Sequence, residues 1–212
     1  MVADTSPGSV DGRIDALLDF WFDGYAVDAD RLNLLKKLWF AATPDQDAEL
    51  RERFGNLAEA ASRGELDAWA DTPRGRLALI VLLDQLPRSL HRGKRDAFAE
   101  DTRALELCLE GLELRFDAAL VPLERVFFYM PLQHAESPVI QALSVETFGK
   151  LTEAEAEKPI ASALGNAADF ALVHRAIIDR FGRFPHRNLA LGRETTEAER
   201  EFLASGASSF GQ

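Results

Sequence analysis

The chain has 212 residues, 47% of them hydrophobic, and carries a formal net charge of −11 at pH 7. This length suits one domain with a sizeable core, and we expect a single helical domain over residues 1–212. The acidic balance argues against a nucleic-acid binder, and no apolar run nears the roughly 20 residues that cross a bilayer. With no secretory signal at its start, the sequence predicts a cytoplasmic protein without nucleic-acid or membrane partners.

The first predicted elements are helices with clear start signals. Asp11 can cap a helix that runs through RIDALLDFWF. Thr43 opens a second helix, because TPDQ combines a capping box with proline at the first helical position. We expect this helix to continue to about Ser62 and to end at Gly64.

The next predicted helix should lie in the middle of the protein. Thr72 opens it, and GRLALIVLLDQL is apolar on all sides. We expect Pro87 to end it, since proline lacks the amide donor that a helix interior needs. Asp84 lies on an apolar face and should point inward, where a carboxylate needs a partner. The arginines of LPRSLHRG can supply one, which favours a structural ion pair over a catalytic acid.

The second half of the chain also reads as helix throughout. Cys108, the single cysteine, fits a buried hydrophobe without chemistry of its own. No run alternates with period two, so no sheet is predicted. The sequence therefore predicts an all-α fold, a compact antiparallel array of about 8–10 helices. The predicted helices span residues 97–115, 121–130 and 138–149, the stretch from Pro159 to about Gly182, and a last one capped by Thr196 with Glu199.

Basic residues are concentrated in two segments of this acidic chain. Residues 74–95 hold six Arg or Lys against one Asp, and residues 174–193 hold five Arg against one Asp. Together the two segments carry +9, so the remaining residues carry −20. Within the second, HRAIIDRFGRFPHRN (174–188) contains four arginines and two histidines. Such a cluster is typical of an anion site or of a structural ion-pair network.

The turn after the long helix is the first candidate site. His174 belongs to the helix's apolar stripe with Phe170, Val173, Ile177, Ile178 and Phe181, so it should point inward, as a core histidine or as part of a site. Phe184 precedes proline, which favours a turn held on the core by Phe184 and Leu189. The side chains that this turn can present to a carboxylate or phosphate are Arg183, His186, Arg187 and Asn188. The alternative is that its arginines are clamps to acidic helices.

Two other segments also end an apolar helix with proline and then offer polar groups. Because helix ends that leave a common core tend to meet on one side of a bundle, we predict one shared cleft for all three segments. LLDQLPRSLHRG (82–93) offers Gln85, Arg88, His91 and Arg92. VFFYMPLQHAES (126–137) offers Gln133, His134, Glu136 and Ser137.

Several stretches together resemble the bacterial family called domain of unknown function 924. They are LLDFWF, WF at residues 39–40, GELDAWADTPRGRLALIVLLDQLPRSLHRG, RVFFYMPLQHAES, HRAIIDRFGRFPHRN, LGRETTEAEREFL and the terminal GASSF. The resemblance covers nearly the whole chain and implies an all-helical fold of the tetratricopeptide-like superfamily, but no activity. Two mild departures are LPRS at 86–89, where members often read FPRN, and QHAE at 133–136, where they often read MHSE. No 34-residue repeat is visible, so the peptide binding of tetratricopeptide arrays is not carried over.

Two functions from different classes fit these residues. In the first, the protein is an anion-binding enzyme that holds a phosphorylated or carboxylated small molecule. His134 or His186 would exchange a proton with it, oriented by Glu136 or Asp84. The binding residues would be Arg88, His91, Arg92, Arg183, Arg187 and Asn188. In the second, the same arginines form a non-catalytic clamp for an acidic peptide or protein partner.

A metal site is the weakest alternative. No two histidines have the i, i+4 helical spacing of HExxH sites, and the surrounding arginines would repel a cation. We therefore predict neither a metal nor another cofactor. The aromatic residues at positions 21–22, 39–40, 69 and 127–129 are expected in the core. The sequence leaves the ligand, the existence of catalysis and the oligomeric state open.

Overall fold

The computed structural model describes residues 11–22, 29–40, 42–155 and 161–206, so most of the terminal GASSF lies outside it. Across these ranges the secondary structure is helical and no strand is present, which confirms the predicted all-α class. The α-helices are α1 (Gly12–Phe22), α2 (Ala29–Phe40), α3 (Pro44–Ser62), α4 (Pro73–Ile80), α5 (Leu86–Leu90), α6 (Asp101–Glu113), α7 (Pro122–His134), α8 (Pro138–Ala154), α9 (Ala161–Phe181), α10 (Asn188–Leu191) and α11 (Glu197–Ala204). Counting residues 73–90 as one interrupted helix, the described ranges hold ten, within the predicted number.

The predicted helix starts at Thr43, Thr72 and Thr196 are confirmed by their caps, whereas the start predicted at Pro159 lies outside the described residues. Thr43 Oγ1 accepts from the Gln46 amide at 3.3 Å, and Gln46 Oε1 accepts from the Thr43 amide at 2.9 Å. Thr196 and Glu199 form the same reciprocal pair at the start of α11. Gly64 follows α3 with φ +78°, a left-handed conformation that glycine adopts without a steric cost.

The prediction that Pro87 ends the central helix was wrong. A π-helical turn over Val81–Gln85 connects α4 to α5, with the Leu86 amide donating to the Val81 carbonyl five residues back. Pro87 thereby falls in the first turn of α5, where its missing amide leaves no helical bond unmade. The chain stays helical to Leu90 and carries Arg88 with it.

The prediction that the aromatic helix stops at Met130 was also wrong, because α7 continues through Pro131 to His134. An interior proline costs a helix about 3 kcal/mol. Met130 and Leu132 on either side are buried in the core, and their packing offsets this cost. The extra turn places Gln133 and His134 on a helix rather than in a loop.

The core surrounds the α4 segment, as its apolar sequence predicts. The side chains from Leu77 to Leu83 are almost fully buried, and α4 packs against α1, α6 and α7. Asp84 and His174 are buried as expected, and so is Cys108. Trp21, Phe22, Trp69 and the 127–129 aromatics are in the core as well. A tetratricopeptide-like relationship stays a prediction.

Four apolar residues are more exposed than the sequence predicted, and one of them is Phe170 of α9, which is 50% exposed. Leu189 is 92% exposed, so it does not hold the turn on the core, and Phe184 alone does so. Val173 is also largely exposed, because the buried face of α9 is narrower than the predicted stripe. Phe40 at the end of α2 is 55% exposed. No helix among the described ranges combines the length and apolar character that a membrane span requires.

Candidate functional site

A cavity of about 380 Å³ lies where the three predicted segments meet. The first segment contributes Gln85, Arg88 and Arg92, the second Gln133 and His134, and the third His186 and Arg187. The shared cleft expected from the sequence is therefore present. Its volume falls within the range of pockets that hold small molecules.

Asp84 and His134 form a buried polar pair at the cavity. The π-helical turn carries Asp84, which is fully buried, and the last turn of α7 carries His134, which lines the cavity. His134 Nδ1 lies 2.7 Å from Asp84 Oδ1 and 3.0 Å from Asp84 Oδ2. These distances tie the imidazole edge nearest the core to one carboxylate.

The protonation of this pair follows from its neighbours. Burial raises the pKa of Asp84, but Arg88 and His134 outweigh burial and hold it below its ordinary value. Burial and the positive charge of Arg88 lower the pKa of His134, although Asp84 opposes them. At neutral pH the carboxylate is therefore ionised and the imidazole neutral. An ionised carboxylate only accepts, so Nδ1 carries the proton and Nε2 on the opposite edge is an acceptor.

Arg88 and Arg187 share the carboxylate of Asp101, at the start of α6. Arg88 Nη2 lies 3.0 Å from Asp101 Oδ1, and Arg187 Nη1 lies 3.0 Å from Asp101 Oδ2. Arg88 Nη1 also lies 3.3 Å from Asp84 Oδ1. Two guanidinium groups and two carboxylates thus form one connected network beside His134.

Arg187 is held on both sides by aromatic rings. Its Cζ lies 4.7 Å from the centre of the Phe98 ring and 4.6 Å from that of Phe184. The residue is only 6% exposed, and burial lowers its pKa to about 10, so it is still charged at neutral pH. Its Nε is buried and has no hydrogen-bond partner among the described residues. A buried donor without a partner is costly, which is the expected state of a group that binds a ligand.

Two more histidines complete this end of the cavity. The rings of His134 and His174 are 6.1 Å apart, and His174 donates from Nδ1 to the Phe170 carbonyl at 2.7 Å. His186 lies beside Phe184, with ring centres 5.6 Å apart. Burial, and then neighbouring cationic or imidazole groups, lower the pKa of both His174 and His186 to about 3. All three histidines of the cluster are neutral at physiological pH.

Three predicted site residues lie away from the cavity and act as clamps. Arg183 Nε lies 2.7 Å from Glu199 Oε1, and Asn188 Nδ2 donates to Glu199 Oε2 at 3.3 Å. Glu136 Oε2 accepts from Arg193 Nη1 at 2.6 Å, and Glu136 Oε1 accepts from the Phe184 amide at 2.8 Å. These bonds fasten the turn to α11 and to the end of α7, as the clamp alternative predicts.

The remaining two predicted residues lie at or beyond the edge. Arg92 lines the cavity, and its Nη2 lies 3.2 Å from Asp47 Oδ2. His91 follows α5 and is not part of the lining. The Arg92 side chain is 37% exposed, against 13% for Arg88 and 7% for Arg187, so Arg92 is the outermost of the cavity arginines.

Sequence reasoning missed several residues of the site. Asp101 bridges two site arginines, but the sequence marks it only as an acidic residue within a predicted helix. Lys36 and Asn166 also line the cavity without any local signal. Phe40 and Trp39, assigned to the core, form part of its wall, which explains the exposure of Phe40. Within the described part of the chain, no group of three or more His, Cys, Asp or Glu is arranged to hold a metal ion.

Comparison with known proteins gives the family. A model described as bacterial protein of unknown function (DUF924) matches residues 17–207. The chain belongs to the DUF924 family. Its fold is similar to the solved structure of a protein of unknown function from Agrobacterium tumefaciens, with a TM-score of 0.77 and 34% sequence identity. That match covers 92% of this chain and 98% of the other. Among curated proteins there is no significant match. Neither description states an activity for a DUF924 protein.

Proposed function

We propose that the protein binds a small carboxylate or phosphate anion in the cavity and exchanges a proton with it through His134. The observation that carries the proposal is the buried Arg187, whose Nε is unpartnered among the described residues, beside the Asp84–His134 pair. A buried guanidinium donor binds an anion strongly, because the bond is charge-assisted and water is excluded.

Asp84 is the positioning residue in this mechanism. It holds the proton of His134 on Nδ1, so Nε2 can accept a proton from a ligand in the cavity. The imidazolium that forms is stabilised by the adjacent carboxylate, as in Ser-His-Asp enzymes, although no nucleophile is assigned here. Arg187 and Arg88 fix the anion so that its acidic group faces Nε2. His186 is the second candidate for the proton-exchanging residue, and Glu136, held by Arg193, is not.

A reactive anion tests the proposal without knowledge of the natural ligand. Bromoacetate carries a carboxylate for Arg187 and a carbon that an unprotonated imidazole nitrogen attacks, which forms an N–C bond and releases bromide. We expect it to alkylate His134 in preference to His91, as mapped by mass spectrometry after proteolysis. Bromoacetamide, with the same leaving group and no charge, is the matched control. Bromoacetate should react roughly tenfold faster or more, since a hydrogen bond to a charged group contributes about 1.5–3 kcal/mol.

Two arginine variants make the test specific. Arg187→Gln should remove the preference for bromoacetate over bromoacetamide, whereas Arg183→Gln, in the same turn but paired with Glu199, should keep it. Cys108 does not compete, because it is buried and burial raises the pKa of its thiol. Equal rates for the two reagents at His134 would contradict the anion site. Selective alkylation at His186 would transfer the proton-exchanging role to that residue.

If the alkylation test contradicts a site for small anions, we expect the protein to be a non-catalytic module that binds an acidic peptide or protein partner. Affinity capture from lysate, dependent on Arg187, would then recover a protein partner, whereas an enzyme of small molecules should recover little. The cytoplasmic location stays a prediction from the sequence.

A further inference from the structure

The cavity wall contributed by α7 changes from apolar to polar along the helix. Its lining residues are, in chain order, Leu123, Val126, Phe127, Met130, Gln133 and His134. Their spacing of three and four residues places them on one stripe, and at 1.5 Å per residue this stripe is about 16 Å long. The first two-thirds of the stripe are apolar and the last turn is polar.

A second wall extends the apolar end. The Trp39 ring of α2 lies 4.7 Å from the Phe127 ring, and the Phe40 ring lies 6.1 Å from that of Trp39. Both α2 aromatics line the cavity. The ion-pair network is at the other end, where Arg88 contacts Asp84, the partner of His134. Lys36 lines the cavity from α2, one turn before Phe40. The cavity therefore has an apolar end and a charged end about three turns of α7 apart.

The charges at the polar end limit the charge of the ligand. Arg88 and Arg187 are balanced by Asp84 and Asp101, so the network is neutral before a ligand binds. A monoanion adds one uncompensated charge, whereas a phosphate monoester adds nearly two in a buried environment. Lys36 lines the cavity and is the one further cation besides Arg92 that the described lining supplies.

We infer that the ligand is a monocarboxylate with an apolar tail. Its carboxylate lies against Arg187 near His134, and its tail lies along α7 toward Trp39 and Phe40. This inference rests on the proposed anion site, and it names the class of substrate which that site takes. It also explains why two large aromatic residues at the end of α2 line a cavity.

A chain-length series tests the inference directly. Acetate, butanoate, hexanoate, octanoate and decanoate are titrated into the full-length protein by calorimetry. The dissociation constant should fall about fourfold for each added methylene, because each buried methylene contributes a constant increment. The gain should continue through decanoate, because its extended ten-carbon chain is shorter than the stripe.

Head-group controls separate charge from tail. Octyl phosphate should bind more weakly than octanoate because of its second charge, and octylamine and octanol should not compete with octanoate. Inorganic phosphate should bind no better than acetate.

A surface variant tests the tail wall without disturbing the core. Phe40 is more than half exposed, so Phe40→Ala should fold normally, weaken decanoate several-fold and leave acetate unchanged. Leu189→Ala is the matched control, since Leu189 is an exposed apolar residue outside the lining, and it should alter neither ligand.

The outcomes distinguish this inference from the proposed function. Equal binding of acetate and decanoate would contradict an apolar tail on the ligand. Tighter binding of octyl phosphate than of octanoate would contradict a ligand with a single charge. In either case an Arg187-dependent anion site would stand. If no carboxylate or phosphate binds at all, both the inference and the proposed function are overturned.

Discussion

Arg183 and Arg187 are four residues apart and have opposite surroundings. Arg183 is partly exposed and pairs with Glu199, whose pKa is lowered to about 2, first by the hydrogen bond from Arg183. Arg187 is buried between two rings, and one of its donors has no partner among the described residues. The first is a structural clamp, and the second has the environment of a binding residue. Residue type and local position do not separate the two roles, but burial and pairing do.

The buried histidines predict how stability depends on pH. His174 and His186 have a folded pKa of about 3, against about 6.5 in an unfolded chain. Between these values the unfolded chain binds protons that the folded chain does not. The free energy of unfolding should therefore fall as the pH drops below about 6.5, by up to about 1.4 kcal/mol per pH unit for each histidine.

Urea unfolding between pH 7.5 and pH 5 checks this prediction, because unfolded carboxylates bind few protons above about pH 5. His174→Phe keeps a ring against Phe184 and should reduce the slope. An identical slope in the wild type and in His174→Phe would show that His174 is not held neutral.

At the scale of elements, the site depends on two helices that continue past a proline. The π-helical turn lets the chain pass Pro87 and places Asp84 and Arg88 at the cavity. Helix α7 passes Pro131 and presents His134 one turn later. Each proline was expected to end its helix, and each is instead accommodated, by a widened turn in one case and by flanking core packing in the other.

Two helical glycines, one at the contact between α6 and α7 and one on the open face of α8, should respond in opposite ways to substitution by alanine. A Cβ on Gly111 of α6 would lie 2.4 Å from Phe128 Cζ and 2.8 Å from Arg76 Cδ, whereas one on Gly149 of α8 would meet nothing within 4 Å. Gly111→Ala should lower the free energy of unfolding by about 1–3 kcal/mol, the usual cost of overpacking. Gly149→Ala should raise it by up to about 1 kcal/mol, the gain in helix propensity.

Urea titrations followed by circular dichroism measure both glycine effects under the same conditions. A stabilised Gly111→Ala variant would mean that α6 and α7 do not pack as closely as described.

At the scale of the whole molecule, folding pairs the basic segments with the acidic remainder of the chain. Arg74 Nη1 lies 2.8 Å from Glu124 Oε1, and Arg76 Nη1 lies 3.1 Å from Glu110 Oε2. In the second segment, Arg193 pairs with Glu136. The segregation of charge along the sequence is thus largely removed in the fold.

Contacts between distant helices predict that the protein unfolds as one unit. The main core extends from Ile14 to Ala171, and a smaller cluster holds Ile177, Ile178 and Phe184. The Arg187–Asp101 pair links the smaller cluster to α6. Unfolding followed by tryptophan fluorescence and by circular dichroism should therefore give coincident transitions. Two separate transitions would contradict a single domain.

Helix α2 and the ends of the helices that contain Pro87 and Pro131 were not predicted. The sequence by itself determined the all-α class, the capped helix starts, the inward direction of Asp84 and His174, and the segments that meet at the cavity. These features depend on contacts within a few residues, such as capping boxes and apolar spacing, and local pattern records such contacts. It also located seven of the residues that line the cavity, because helix ends rich in polar groups stand out from apolar helices.

Only the tertiary structure decided which of these residues form the site. Arg187 and Asp101 are 86 positions apart, and nothing in the neighbourhood of either marks the other as its partner. Local sequence also does not show that Phe40 forms part of a cavity wall, or that Leu189 is exposed to solvent. Burial, ion pairing and cavity lining are properties of surfaces brought together by packing. A local pattern can predict that a side chain points inward, but the rest of the fold determines what it meets there.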